Sequence, residues 1–530
     1  MNTLAIKTPG VYINELDAFG NSVVPIATAV PAFIGYTPQA KYEGKSYINK
    51  PFKISSFNDF LTVFGFEADS GKKQYDPKYF VKKVDEAPEG VEHIAIGDSI
   101  YTIQPDAGTI YHLYNSLRIF YQNGGGDAYI VSVGGYGAPT GTEPDLSEGL
   151  INPNIKLEDL SKGLKTLISE QEPTMYVVPD STLLSDEENH SLAQEMLGQS
   201  AEMGTIFSIF DIRGGDTPDP LKFEDDIETF REGIGNNDLK WGGAYYPFLE
   251  TTITPLSGVD YNNLSGDPKA ILTELILPED KESTAFKKLS KVINQIGAAP
   301  PDDPKAPQPL SLNQINGALL ASSPIYKQIV KSILERINLL PPSAAMAGVY
   351  TKVDNDQGVW IAPANLTPAS VSGLSIYIND KQQENLNVDA VSGKSINAIR
   401  FFNGQGILVW GARTLDGNSQ DWRYINVRRT MTFLEQSIKL AARAFVFAPN
   451  DSNTWTSVKS MLNNFLTDVW KAGALQGATT AEAFGVQVGL GTTMTAQDIL
   501  NGFMNISVKV ALVRPAEFIV ITFQQQMPTS

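Results

Sequence analysis

Between residues 160 and 255 three short apolar runs alternate with two longer segments of helical periodicity, and a chain so patterned folds most simply as parallel βα units. Strands are expected at 175–179, 205–212 and 242–249, with helices at 186–203 and 223–233 between them, giving a small open α/β sheet. Outside this stretch the signals scatter. The opening segment Thr8-Pro-Gly-Val-Tyr-Ile-Asn-Glu15 reads as a turn and a short extended arm, since Pro9 and Gly10 break structure and Val11, Tyr12 and Ile13 favour strands. Buried strands are expected at 26–35 and 128–133. Helices are expected at 55–65, where Ser56 can cap, and at 111–122.

Pro, Asp and Lys accumulate over 265–309, which reads as an insertion or loop excursion. An amphipathic helix at 325–339 follows and stops at Pro341-Pro342. Beyond Ser343 glycine, aromatics and short strands dominate, with helices at 430–443, 454–471 and 495–501 and closing strands at 506–513 and 517–524. The fold class is therefore mixed α/β (α+β).

Size and charge narrow the function. At 530 residues the chain exceeds one ordinary core, and 42% apolar with 19% charged residues is a globular composition. A formal charge of −18 repels phosphate backbones and anionic lipid, so no nucleic-acid partner is expected. Cysteine is absent, which removes disulfides and thiolate metal sites. The first residues lack the charged start and apolar core of a signal peptide, and no run approaches the ~18 apolar residues of a membrane helix. A soluble product made in the cytoplasm, without membrane insertion, is expected; release would follow lysis or ride on a larger assembly.

Catalytic patterns fail one by one. Gly44-Lys45-Ser46 and Gly393-Lys394-Ser395 end like phosphate-binding loops, yet Gln39 and Val388 stand where the leading glycine belongs. Gly124-Gly-Gly-Asp-Ala-Tyr129 lacks the third glycine of a dinucleotide fingerprint and precedes a strand, where that motif needs a helix. His93, His112 and His190 show no metal-ligand spacing, and no Gly-x-Ser-x-Gly elbow occurs. Asp180 and Asp211 fall at the carboxyl ends of expected strands, where they read as caps more readily than as ligand groups. Arg428-Arg429 reads as a salt-bridge pair at a subunit contact. No catalytic residue, cofactor or metal is expected.

Taken in order, several segments resemble the tail sheath family of contractile phages, pyocin-like particles, extracellular injection systems and type VI secretion relatives. They are Pro9-Gly-Val-Tyr-Ile-Asn-Glu15, Thr28-Ala-Val-Pro-Ala-Phe-Ile-Gly35, Phe120-Tyr-Gln-Asn-Gly-Gly-Gly-Asp-Ala-Tyr-Ile-Val131 and Ala244-Tyr-Tyr-Pro247. The C-terminal third adds Pro341-Pro-Ser-Ala-Ala-Met-Ala-Gly-Val-Tyr350, Gly358-Val-Trp-Ile-Ala-Pro-Ala-Asn365, Asn397-Ala-Ile-Arg400 and Val409-Trp-Gly-Ala-Arg-Thr-Leu415. It continues through Trp422-Arg-Tyr-Ile-Asn-Val-Arg-Arg429, Phe445-Val-Phe-Ala-Pro-Asn450 and Arg514-Pro-Ala-Glu-Phe-Ile519.

The resemblance implies a sheath core from residues 17–50 and 343–530, with 51–342 as a middle region facing outward. That region would hold the α/β domain near 160–255 and a variable insertion near 256–310. It also implies strand exchange between subunits, through an N-terminal arm (1–16) with Val11, Tyr12, Ile13, Asn14 and Glu15. The C-terminal arm (514–530) would contribute Glu517, Phe518, Ile519, Val520, Ile521, Thr522 and Phe523. A short helix with Thr495, Gln497, Asp498 and Asn501 is implied to touch an inner tube, with 454–471 as the second choice. Implied partners are copies of the chain in stacked hexameric rings, the inner tube protein, and baseplate and terminal cap proteins.

A strand lent to a neighbour makes a heterologous contact, and such a contact propagates as a helical array when it does not close a ring. Contraction is then a change between two packings, and at about 25 cal/mol per Å² a few hundred Å² of added burial per subunit amounts to several kcal/mol before association costs. A baseplate- or capsid-type structural protein and an α/β enzyme are the competing readings.

Overall fold

A computed structural model describes residues 23–86, 93–97, 99–147, 149–299 and 308–520. The chain divides into two compact units, one of residues 1–26 and 430–513 and the other of residues 27–429 and 514–530.

The larger unit is built on an eight-stranded sheet. Its strands are β1 (Pro31–Thr37), β2 (Phe52–Ile54), β3 (Ala128–Gly135), β4 (Met175–Val177), β5 (Phe207–Asp211), β6 (Gly242–Tyr246), β7 (Ile396–Phe402) and β8 (Gly406–Val409). The spatial order is β8-β7-β6-β5-β4-β1-β3-β2. Neighbours from β7 across to β3 run parallel, and β8 and β2 close the two sides antiparallel. The expected βα units are present, with helices α4 (Asp186–Met203) and α5 (Phe223–Gly233) at the expected bounds. The sheet reaches well beyond 160–255, however, because β1, β3 and β7 arrive from distant parts of the chain to pair with that core.

Parallel strands must be covered on both faces, and alternation along each strand provides two apolar surfaces. Ala32, Ile34, Tyr36, Val131, Tyr176 and Ala244 join one core with Leu160 and Leu164 of α3 (Leu157–Thr166), Leu192 and Met196 of α4, and Ile227 and Phe230 of α5. Phe33, Ile130, Val177, Ile209 and Tyr245 join the other, under Leu113, Leu117 and Phe120 of α2 (Leu113–Gln122). The helix α1 (Phe57–Phe64), capped by Ser56 as expected, adds Phe60 and Phe64 to that second core.

Two expectations are corrected here. Within the 265–309 stretch, expected to be an insertion or loop excursion, the described residues are not all loop: Pro268–Ile276 and Thr284–Ile293 are helices, started by Asp267 with Pro268 in the first turn and by Ser283. A proline at the first helical position loses no hydrogen bond, so Pro268 marks a helix start. With Leu312–Ser322 and Pro324–Ile337 they bury Leu272, Leu289, Leu319 and Ile329 in the core that also holds Tyr79, Tyr101 and Ile103 of a three-stranded sheet. Second, the segment after Pro342 is a helix, α6 (Ser343–Asp356), where short strands were expected to dominate. Its residues from Ser343 to Thr351 are all buried, so it carries no amphipathic period to read.

In the smaller unit α8 (Ser452–Lys471) buries Val458, Met461, Leu462, Phe465, Leu466 and Val469. The helix α7 (Ile425–Ala442) runs through the division, and its Phe433 ring lies 6.2 Å from Phe465. Strands β9 (Phe484–Val488) and β10 (Ile506–Val510) and the short helix α9 (Ala496–Leu500) complete it. No helix among the described residues is long and apolar enough to cross a membrane.

Candidate assembly interface

The strands β9 and β10 form an antiparallel ribbon of only two strands. The Ala511 N–H donates to the Ala483 carbonyl at 2.9 Å, and Ala483 and Ala511 lie opposite one another by extension of the Phe484↔Val510 register. Hydrogen-bonded and non-hydrogen-bonded pairs alternate in such a ladder. Gly485, Gln487, Ser507 and Lys509 therefore bond across the ribbon. Phe484, Val486 and Val488 on one strand, and Ile506, Val508 and Val510 on the other, turn their N–H and C=O groups outward.

One face of the ribbon rests on α8, and Val486 is buried. Gly485, Gln487 and Lys509 are exposed. A lone two-stranded ribbon is marginal, and an outward row of backbone donors and acceptors is a template for a further strand. Sequence reading missed β9, although Phe484, Val486 and Val488 show the two-residue period that marks it.

Of the chain ends, Val11, Tyr12, Ile13, Asn14 and Glu15 lie outside the described residues, as do Ile521, Thr522 and Phe523. Within the smaller unit the Ile26 N–H donates to Ser437 Oγ at 3.3 Å. At the other end, 517–520 pairs with no strand among the described residues, and the rest of the strand expected at 517–524 lies outside them. The side chains of Phe518, Ile519 and Val520 are 70%, 78% and 89% exposed. Glu517 differs from its neighbours in being bound at home. Its carboxylate accepts from Arg413 Nη2 at 2.7 Å and Nε at 2.9 Å, from Asn387 Nδ2 at 2.7 Å and from the Tyr424 hydroxyl at 3.0 Å. Burial pushes the Glu517 pKa up, but the hydrogen bonds from Arg413 and Asn387 and the Arg413 charge outweigh it and hold the carboxyl below its ordinary value.

The helix α9 is shorter than expected and is held by a capping box: Asp498 Oδ2 accepts from the Thr495 N–H at 2.8 Å, and Thr495 Oγ accepts from the Asp498 N–H at 3.2 Å. Donation from the Thr495 N–H and from the Thr495 hydroxyl, the latter at 2.8 Å, holds the Asp498 carboxyl below its usual range. Gln497 donates to Asn501 Oδ1 at 3.1 Å. Leu500 and Phe503 beside them are exposed, so the four residues expected at an inner tube share a surface with apolar side chains.

The chemistry-bearing candidates are spent on the fold. Asp180 accepts the backbone N–H groups of Tyr36, His112 and Leu113, tying β1 to the start of α2. A Cβ at Gly35 would stand 2.6 Å from its Oδ2, which is why glycine sits there. Asp211 takes the N–H and hydroxyl of Ser343 at the head of α6. Burial raises the Asp180 pKa to about 6 and that of Asp211 to about 7, and lowers that of His112 to about 4. A cavity of about 650 Å³ lies beside these strand ends, lined by His112, His190, Asp186, Arg213, Asp216 and Asp226, but neither Asp180 nor Asp211 lines it. Arg429 pairs with Asp354 of its own chain at 2.6 Å, both side chains buried, which corrects its expected place at a subunit contact. Arg428 stacks between Trp241 and Trp422 at 4.3 and 4.4 Å.

Residues 418–526, which contain the ribbon, match the family model described as the phage tail sheath C-terminal domain. The chain is 27% identical over 150 residues to the tail sheath protein of Vibrio phage KVP40, covering 28% of this chain and 22% of that one. It is 30% identical over 145 residues to the tail sheath protein of Burkholderia phage BcepMu, covering 26% of this chain and 30% of that one. The matched regions thus span less than a third of either relative. Along nearly its whole length, 98% of this chain and 100% of the other, the fold is similar to the solved helical sheath of the anti-feeding prophage in its contracted state, with a TM-score of 0.55 and 27% identity. The C-terminal domain is thus that of the phage tail sheath family, and the whole chain is similar in fold to a contractile sheath protein.

Proposed function

We propose that this chain is the structural subunit of a contractile sheath, polymerising as a helical tube around an inner tail tube. Contraction from a metastable extended state would drive that tube through a target envelope. The observation that carries the reading is the two-stranded ribbon whose outer edges have no partner strand in this chain among the described residues. The likeness to a helical sheath in its contracted state supports it.

In this reading the arm around Val11–Glu15 of one copy and the segment 517–523 of another add to the ribbon of a third. Backbone hydrogen bonds give the join, and the half-buried apolar side chains of β9 and β10 give the pocketed face. A contact of this kind is heterologous and extends into a helix of stacked rings, six copies to a ring as the family resemblance implies. The ribbon of the smaller unit and the two lent ends carry the lattice contacts, and the region 51–342 faces outward. The α9 surface with Thr495, Gln497, Asp498 and Asn501 meets the inner tube, and baseplate and cap proteins terminate the array.

No catalytic role is assigned, in keeping with the capping duties of Asp180 and Asp211. Electron microscopy of the purified chain tests this: hollow ribbed cylinders are expected. Closed shells would favour a capsid-type role, and dispersed monomers under conditions that assemble related sheaths would count against both.

A further inference from the structure

The Glu517 carboxylate is the terminus of a hydrogen-bond chain that runs into the main sheet. Arg413, which grips it through Nη2 and Nε, is itself immobilised: its N–H donates to Asn397 Oδ1 at 2.7 Å and its carbonyl accepts from Asn397 Nδ2 at 2.8 Å. Asn397 lies on β7, and its Nδ2 also donates to the Ala244 carbonyl of β6 at 3.1 Å. Arg413 Nη1 donates to the Asn387 carbonyl at 3.1 Å, and the neighbouring amide of Asn387 donates to Glu517. The Arg413 side chain is 4% exposed and that of Glu517 21%, so the pair is shielded and the charge-assisted bonds hold their strength. The next three side chains, Phe518, Ile519 and Val520, are exposed and apolar. A fully coordinated acid thus stands directly before an apolar run that pairs with no strand among the described residues.

We infer that Glu517 is the anchor of the C-terminal segment, a positioning residue that fixes where the lent strand leaves its own body and passes load from the neighbouring subunit into the eight-stranded sheet through Arg413 and Asn397. This rests on the strand-lending reading given above and adds to it the residue that makes the loan mechanically useful. A strand paired to a neighbour but loose at its root transmits little, because slack in the linker absorbs the relative motion of the two bodies. The clasp removes that slack.

The test uses the full chain and three variants: Glu517→Ala, Glu517→Gln, and a chain ending at residue 517. For Glu517→Ala, cooperative unfolding of the unassembled subunit is retained and protease cleavage within 514–520 rises. Tubes are absent. In equal mixture with the wild type, mean tube length falls, because the variant's ribbon still accepts a strand while its own tail is unrooted. A merely structural lesion would leave wild-type tube length unchanged in the mixture. Glu517→Gln keeps the volume and one acceptor, and it shows the same effects in smaller degree.

Wild-type tube length and wild-type protease resistance in Glu517→Ala would overturn the anchor. Loss of cooperative unfolding in Glu517→Gln would also overturn it, by making Glu517 part of the folding core. Tubes formed by the chain ending at residue 517 would instead sink the strand-lending reading at the C-terminus, whatever the point variants do.

Discussion

Asp211, at the end of β5, accepts the backbone N–H of Ser343 at 2.7 Å and also its hydroxyl, fastening the buried head of α6 to the sheet. The two residues are 132 positions apart, so one carboxylate closes a large part of the fold. Burial raises the Asp211 pKa from its ordinary value to about 7. The folded form therefore binds a proton that the unfolded chain releases near pH 4, and the stabilisation is complete below about pH 4 and lost as pH rises through 7. His112, lowered to about 4 by burial, acts in the opposite sense and loses its contribution as pH falls from about 6.5 through 4. Asp211→Asn keeps an acceptor and a donor for Ser343 without a titrating proton. The urea stability of wild type relative to this variant should fall steadily as pH rises from 4 to 7 and level off outside that window. A pH-independent difference would show that Asp211 does not titrate there.

Removing the cap altogether is a separate matter. Asp211→Ala leaves the buried Ser343 N–H without its acceptor and should cost about 1–3 kcal/mol below pH 4, outside the titration window, read from denaturant midpoints at unchanged m-value.

Arg429 and Asp354 make a buried bidentate pair at 2.9 and 2.6 Å, with Arg429 also donating to the Thr28 carbonyl. Asp354→Ala strands a buried guanidinium and should cost about 3–5 kcal/mol, whereas replacing both partners by apolar residues should recover much of that loss. Thermal and chemical unfolding of the two variants checks the order. A single variant as stable as the wild type would contradict the pairing.

On the ribbon, neighbouring positions should behave differently. Val508 turns its N–H outward, so Val508→Pro removes a donor that only a partner strand would use, and the subunit should fold yet fail to assemble. Ser507→Pro removes a bond within the ribbon and should unfold the hairpin itself. Circular dichroism with electron microscopy separates the two outcomes, and equal behaviour would mean that the outward edge carries no contact.

The helices α4 and α5 could be read from sequence to the residue because each presents an apolar stripe and begins beside acidic residues. Helix α6 could not, since burial on all sides erases the stripe, and Pro342 hides its start. The helices at 268–276 and 284–293 were obscured by the density of proline and charge around them, although Pro268 begins the first and Ser283 caps the second. The extent of the sheet was illegible for another reason: β1, β3 and β7 meet by long-range pairing, which no local pattern encodes. At the candidate interface the exposed run from Phe518 to Val520 was legible by its composition. The Glu517 clasp was not, because it depends on bringing Asn387, Arg413 and Tyr424 together in space.

Everything proposed for assembly turns on copies completing one another's ribbons, and deletion of residues 1–16 followed by electron microscopy of the purified protein examines that most directly. The shortened subunit should unfold cooperatively at close to the full-length temperature and remain dispersed where the intact chain builds cylinders. Cylinders of normal length from the shortened subunit would contradict the N-terminal loan and with it the lattice described here.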